Sequence, residues 1–320
     1  MDYELLASQL VRAIRGRRRQ VAFSRRIGCQ SNVLYTWEAG RRYPTAARFF
    51  EVAARAGVDV HGSIVRFLRS EPPWLRQRTA LDVAGVAQLL HEVKGNRALS
   101  DIARATDKTR FRVARWFSGQ TEPRLPDFLE LVHVTSYRLL DFVAALVDPL
   151  TVPLVAAPWR ELEAARHAAY ASPWCHVVLR LLETERLRAQ ASVSASQLAG
   201  ELGITTSEAR SSLDLLEATG QIERRGQAWD VKQVANVDLA QDPEAMRRIK
   251  AWAAEVALER IREAGEGLFS YNLFCVSERD YLELQRLQRA YFRQLRAIVA
   301  ESAPSERVVM TNLHLFSLGR

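Results

Sequence analysis

Along the first 145 residues, apolar side chains recur every three to four positions and are interrupted by short polar runs containing Gly or Pro, a pattern that predicts short amphipathic helices. Leu10 and Ile14 share one helical face that stops at Gly16. A second helix is expected from Gln20 to Ile27, with Phe23, Ser24 and Ile27 inward. Gly28-Cys29-Gln30 then forms a three-residue turn suited to two helices packed at a steep angle. The third helix, Ser31 to Ala39, is expected to bury Val33, Leu34 and Trp37 and to leave Ser31, Asn32, Tyr35 and Thr36 outward, before Gly40 ends it.

The same pattern occurs twice. Residues 10–53 align without a gap on residues 89–132 at an offset of 79, pairing Gly16 with Gly95, Arg18 with Arg97, Arg25 with Arg104, Trp37 with Trp116, Gly40 with Gly119, Pro44 with Pro123 and Phe49 with Phe128. The copies also differ. Leu99 stands in the place of Gln20, Asp107 in that of Gly28 and Phe117 in that of Glu38. Asp tolerates positive φ, so the turn is expected to survive. The outward surface of the third helix becomes Arg110, Phe111 and Arg115, with Lys108 and Arg112 nearby.

Prolines mark two expected linkers, Ser70-Glu71-Pro72-Pro73-Trp74 and a stretch over 146–159. Beyond the second, Val177, Val178, Leu181 and Leu182 predict one helix and Ser194 opens another. Thr205 or Thr206 caps a third, with Glu208 supporting the cap and Ala209, Leu213 and Leu216 inward. Residues 221–231 read as a hairpin turning at Arg225-Gly226. Three helices and a hairpin predict a winged helix. Further on, a helix over 243–264, a strand over 267–276, a long helix from Ser277 to Ala300 and a closing strand over 307–316 predict a small α/β layer, its strands free to pair in parallel.

Charge sharpens this picture. The 320 residues carry a formal net charge of +8, yet residues 1–150 hold 24 basic and 15 acidic side chains and the remaining 170 hold 21 and 22. The basic excess therefore coincides with the repeat and points to a polyanion. Residues 172–232, with seven basic and eight acidic side chains, gain little from phosphate neutralisation, so a structural, dimerising or regulatory role is expected there ahead of DNA contact; Arg224 and Arg225 are the exceptions to watch. Cys29, Cys175 and Cys275 are too far apart for a disulfide framework or a metal knuckle. No apolar run is long enough for a membrane span, and the Met1-Asp2-Tyr3-Glu4 opening leads us to expect no secretory signal and a cytoplasmic, nucleoid-associated location.

The run Gln20-x7-Gly28-x8-Trp37-Glu38-x-Gly40-Arg41-Arg42-x-Pro44 resembles the phage-repressor-like, or Cro/XRE-type, helix-turn-helix family over residues 4–60, and its second copy over 83–145. In that family the third helix enters the major groove. The resemblance implies base contacts for Ser31, Asn32, Tyr35 and Thr36, and for Arg110, Phe111 and Arg115 in copy two. It implies phosphate contacts for Gln20, Arg41 and Arg42, with Arg17, Arg18, Arg19, Lys108 and Arg112 adding to them. The alternatives are that Arg17 to Arg19 form only a solvated helix end and that copy two is a packing partner that positions copy one.

Residues 160–319 resemble a bacterial domain of unknown function that follows helix-turn-helix modules in regulators, through Ser172-Pro173-Trp174-Cys175-His176, Phe274-Cys275-Val276-Ser277-Glu278 and Asn312-Leu313-His314-Leu315-Phe316. The expected architecture is mainly α: tandem helix-turn-helix domains over 1–70 and 80–148, a winged helix over 160–235 and an α/β subdomain over 236–320 that regulates or dimerises.

The expected partner is double-stranded DNA, with room for a second copy of the chain through the C-terminal half and no effector specified. The alternative is a protein-interaction adaptor or antitoxin-like factor. Gly-rich phosphate loops, HExxH and GxSxG are missing from the sequence, and the six histidines are scattered, so neither catalysis nor a bound metal or cofactor is expected.

Overall fold

The computed structural model describes residues 1–29, 33–76, 82–232, 239, 242–263 and 265–318, and in them the regular structure is seventeen α-helices, one 3-10 turn and one two-stranded sheet. The protein is mainly helical, as the periodicity predicts, and it divides into two compact units, residues 1–160 and 161–320.

In the first unit, the Asp2 carboxylate accepts from the Leu5 N–H at 2.9 Å and starts α1 (Tyr3–Arg15), which ends at Gly16. There follow α2 (Gln20–Arg26), α3 (Val33–Glu38), α4 (Ala46–Ala56) and α5 (Val60–Leu68), then α6 (Val83–Lys94), α7 (Leu99–Ala105), α8 (Arg110–Phe117), α9 (Leu125–Ser136) and α10 (Leu139–Leu146). Shifting the first five by 79 residues brings their bounds within two residues of the second five. The repeat visible in the sequence therefore continues through α5 and α10. Its turn survives in both copies, with Gly28 at φ +68° and Asp107 at φ +50°.

The copies meet through equivalent atoms. The Ala46 N–H donates to Pro123 O at 3.1 Å and the Leu125 N–H to Pro44 O at 2.9 Å, while Thr45 and Arg124 form an antiparallel bridge. Each partner is the other's counterpart at the 79-residue offset. Such reciprocity marks a contact built on a local two-fold axis. Phe50, Phe128 and Phe142 meet edge-to-face beneath it, with centroids 5.6 to 6.3 Å apart. Geometry of this kind suits the ring quadrupole and adds to the benefit of burial.

Two expectations are corrected here. Val33 is 37% exposed, because the buried arc of α3 is narrow and is filled by Leu34, Trp37 and Glu38. The Pro-broken linker expected over 146–159 is instead a 3-10 turn (Pro149–Thr151) leading into α11 (Pro153–Ala171). Pro153 occupies the first helical position, where its missing N–H costs nothing. Pro158 lies inside the helix, and burial of Val155, Leu162, Ala165 and Ala169 offsets the roughly 3 kcal/mol that an interior proline costs.

The second unit centres on α12 (Pro173–Leu182), α13 (Glu185–Arg188), α14 (Ala195–Leu202) and α15 (Thr206–Ala218), followed by the antiparallel pair β1 (Ile222–Arg225) and β2 (Ala228–Val231). Cys175, Val178, Leu198, Ala209, Leu213, Leu216 and Ile222 share its core. Thr205 and Glu208 cap α15 reciprocally, the Glu208 N–H donating to Thr205 Oγ1 and the Thr205 N–H to Glu208 Oε2. Then come α16 (Pro243–Arg262), whose Trp252 meets Trp174 edge-to-face at 5.1 Å, and α17 (Glu278–Glu301), capped by Ser277.

The α/β layer expected over 236–320 is not formed. Residues 267–276 and 307–316 pair with no strand among the described residues, and most of their apolar side chains are exposed, Leu268 at 97%, while Val308 packs against the core of the second unit. Alternation alone does not make a strand, since the backbone also needs a neighbouring strand to accept and donate hydrogen bonds.

Candidate nucleic-acid interface

α3 presents a small mixed surface. Tyr35 is 45% exposed, and the Arg41 guanidinium stacks over its ring at 5.4 Å. Thr36 is half-buried; its hydroxyl donates to Val33 O at 2.7 Å, and its carbonyl accepts from the N–H groups of Arg41 and Arg42 at 2.9 and 3.2 Å. Those bonds fold the loop after α3 back onto its last turn, placing two exposed arginines beside the tyrosine. Ser31 and Asn32 lie outside the described residues.

What holds this surface is a buried carboxylate. Glu38, 7% exposed, accepts from Arg15 through Nε at 2.6 Å and Nη2 at 3.1 Å, and from Gln20 Nε2 at 2.8 Å, with Arg12 at 3.9 Å. One side chain thus ties α1, α2 and α3 together. A buried charge persists only when it is paired in this way. Gln20, expected at a phosphate, has one N–H engaged within the fold. Arg15 also donates to the carbonyls of Gly16 and Arg18, fixing the run that leads into α2.

Copy two replaces the whole set. The counterparts of Arg12, Arg15, Gln20 and Glu38 are His91, Lys94, Leu99 and Phe117. Phe117 is buried against the His91 ring at 5.3 Å, and His91 Nε2 lies 3.0 Å from Phe117 O. Lys94 repeats the outer part of Arg15's role by donating to the carbonyls of Gly95 and Arg97. Two of the changes visible in sequence, Gln20 to Leu99 and Glu38 to Phe117, are therefore linked: losing the carboxylate removes the need for its donors.

The basic residues separate into free and engaged groups. Arg17, Arg19, Arg41, Arg42 and Arg110 are exposed. Arg18 donates to Ala56 O at 3.2 Å, and its counterpart Arg97 donates to Val134 O and, at 3.0 Å, to Tyr137 Oη; this arginine recurs because it satisfies the C-terminal carbonyls of a neighbouring helix. Lys108 lies 3.5 Å from both Asp127 and Glu130, and Arg112 3.2 Å from Asp127, so much of the positive charge expected around α8 is already balanced. Asp127 stands where copy one has Arg48, which donates to Ile27 O and to Cys29 Sγ at 3.1 Å. Phe111, by contrast, is 72% exposed, with the Arg115 guanidinium over its ring at 5.6 Å.

In the second unit, Arg224 stacks on Trp229 at 5.7 Å and Arg225 lies 3.7 Å from Asp230. The hairpin's positive charge is thus partly balanced. Among the described residues no helix is long and apolar enough to cross a membrane, and no group of three or more His, Cys, Asp or Glu side chains is placed to hold a metal ion.

Glu38's position was readable only as a motif residue following Trp37. Its burial was not, because an isolated Glu at the end of an amphipathic helix has the composition of a solvated face. The co-replacement of Gln20, Arg15 and Glu38 between the copies is the sequence signal for the hub.

The model of the family described as Domain of unknown function (DUF4423) matches residues 155–318, just over half of the chain, and the protein belongs to that family. Comparison with curated proteins and with solved structures gives no match.

Proposed function

We propose that the protein is a sequence-specific DNA-binding transcriptional regulator. In this reading, residues 1–70 and 80–148 are two phage-repressor-like helix-turn-helix domains, α3 and α8 are their groove-reading helices, and residues 160–235 hold a winged helix. Tyr35 and Thr36, with Ser31 and Asn32, would face base edges; Arg41, Arg42, Arg17 and Arg19 would hold phosphates.

The observation that carries the reading is the reciprocal Ala46–Pro123 and Leu125–Pro44 pairing. It relates two copies of one motif by a local two-fold within a unit that holds all of the chain's basic excess, and duplex DNA has two-fold symmetry of its own. The test is an Asn32→Ala, Thr36→Ala double variant measured on the best duplex site selected by the wild-type chain. A loss of at least tenfold in affinity, with weakened preference over random DNA, is expected. Unchanged affinity and preference contradict base reading.

The second unit's role is proposed as regulation and self-association. Among the described residues its exposed large apolar side chains cluster after residue 257, among them Leu268, Tyr271, Leu273, Val299 and Val309, and the segments 267–276 and 307–316, without regular secondary structure, flank α17. Apolar surface on that scale marks a contact area. The competing reading of the first unit, a protein-binding adaptor, is favoured by the exposed Val21, Val33 and Phe111 on α2, α3 and α8. An apolar protein contact would depend weakly on salt, whereas a phosphate contact loses affinity steeply as salt rises.

A further inference from the structure

The local two-fold relates backbones, but it does not relate the chemistry of the two exposed helices. At the 79-residue offset, Arg110 answers to Ser31, Phe111 to Asn32, Ala114 to Tyr35 and Arg115 to Thr36. In sequence one copy carries amide and hydroxyl groups at these positions, of which Tyr35 and Thr36 are among the described residues; the other carries two guanidinium groups and an aromatic ring. Among the described residues of the first unit Phe111 is the most exposed large apolar side chain, at 72%. Arg115 lies over its ring, so the cation and the apolar face form a single surface at the exposed start of α8.

Base edges in the major groove distinguish these two sets. Asn suits adenine and hydroxyls are permissive, whereas Arg suits the paired acceptors of guanine and an apolar side chain suits the thymine methyl group. A symmetric dimer of one motif reads two identical half-sites in inverted order. A single chain with an internal two-fold and two different reading faces has no such constraint.

We infer that this chain reads a non-palindromic pair of half-sites about one helical turn apart, with guanine and thymine in the half-site under α8 at positions where the half-site under α3 carries other bases. The inference rests on the DNA-binding reading proposed above and specifies its substrate. The spacing is the one at which two reading helices related by a two-fold axis meet successive major-groove faces, about 34 Å or one helical turn.

The experiment is selection of bound sequences from a random duplex library by the full chain at fixed salt, repeated with Phe111→Ala, Arg115→Ala and Thr36→Ala variants whose melting temperatures match the wild type. Two different blocks with centres about 10 base pairs apart are expected. Phe111→Ala should erase thymine preference, and Arg115→Ala guanine preference, in one block only, each weakening binding to the selected site roughly 5- to 150-fold. Thr36→Ala should alter only the other block. Two inverted copies of one block overturn the inference while leaving DNA binding intact, as does a single block indifferent to Phe111 and Arg115. If no sequence is enriched and binding is insensitive to salt, the DNA-binding reading itself fails and the inference falls with it.

Discussion

At the residue scale, Glu38 is the side chain that joins α1, α2 and α3 in the first copy of the repeat. Removing it takes away the acceptor shared by Arg15 and Gln20. Breaking a buried ion pair from one side costs about 3–5 kcal/mol, and because Arg15 retains some access to water we expect Glu38→Ala to lower stability by about 2–4 kcal/mol in chemical denaturation. A loss below about 1 kcal/mol would show that the carboxylate is incidental. In the second unit, burial lowers the His176 pKa to about 4, with the nearby Arg180 adding to the effect; Arg180 Nε donates to His176 Nε2 at 3.2 Å, which requires a neutral ring. The unfolded chain takes up this proton below about pH 6.5 and the folded chain only near pH 4. Stability should therefore be level above pH 6.5 and fall by up to about 3 kcal/mol on acidification to pH 4. His176→Gln should flatten that part of the profile, as followed by thermal melting at pH 7 and 4.5. Neither role was legible in the sequence, since burial of a polar residue depends on neighbours brought from other helices.

At the element scale, the turns and stops were legible because they rest on backbone conformation, which Gly and Asp announce directly. Gly28 sits at φ +68°, and a Cβ there would lie 2.7 Å from the Arg55 guanidinium that donates to Ile27 O. Gly28→Ala should cost about 1–2 kcal/mol for the left-handed conformation, more if Arg55 loses its carbonyl. Asp107→Gly, at the equivalent turn, should leave stability unchanged or raise it by up to about 1 kcal/mol. Equal losses in the two melts would mean that the turns are not equivalent. The first three helices of the repeat and the hairpin at Gly226 were read close to where they form, whereas α4, α5 and their counterparts were not placed in advance. The strands over 267–276 and 307–316 were not, because alternation records which residues could line a sheet without recording whether a neighbour is present. Pro158 misled in the opposite direction: burial elsewhere along α11 outweighed a local breaker.

At the scale of the whole molecule, the charge asymmetry and the repeat were visible from the sequence, whereas the local two-fold was not. Reciprocal bonds between Pro44, Ala46, Pro123 and Leu125 join residues 79 apart, and no local pattern encodes such a pairing. If the apolar C-terminal segments self-associate as proposed, light scattering in solution should give twice the 36.2 kDa of one chain, and truncation before residue 265 should return the monomer mass. A monomer at all accessible concentrations would contradict that role.

The central claim, that residues 1–148 hold DNA through phosphate contacts, is tested most directly by the salt dependence of affinity for a duplex selected by the chain. Arg17, Arg19, Arg41 and Arg42 as four phosphate contacts predict that log affinity falls against log salt with a slope of about −3.6, becoming shallower by about 0.9 with each arginine replaced by Ala. A slope near zero, unchanged by those replacements, would contradict the account.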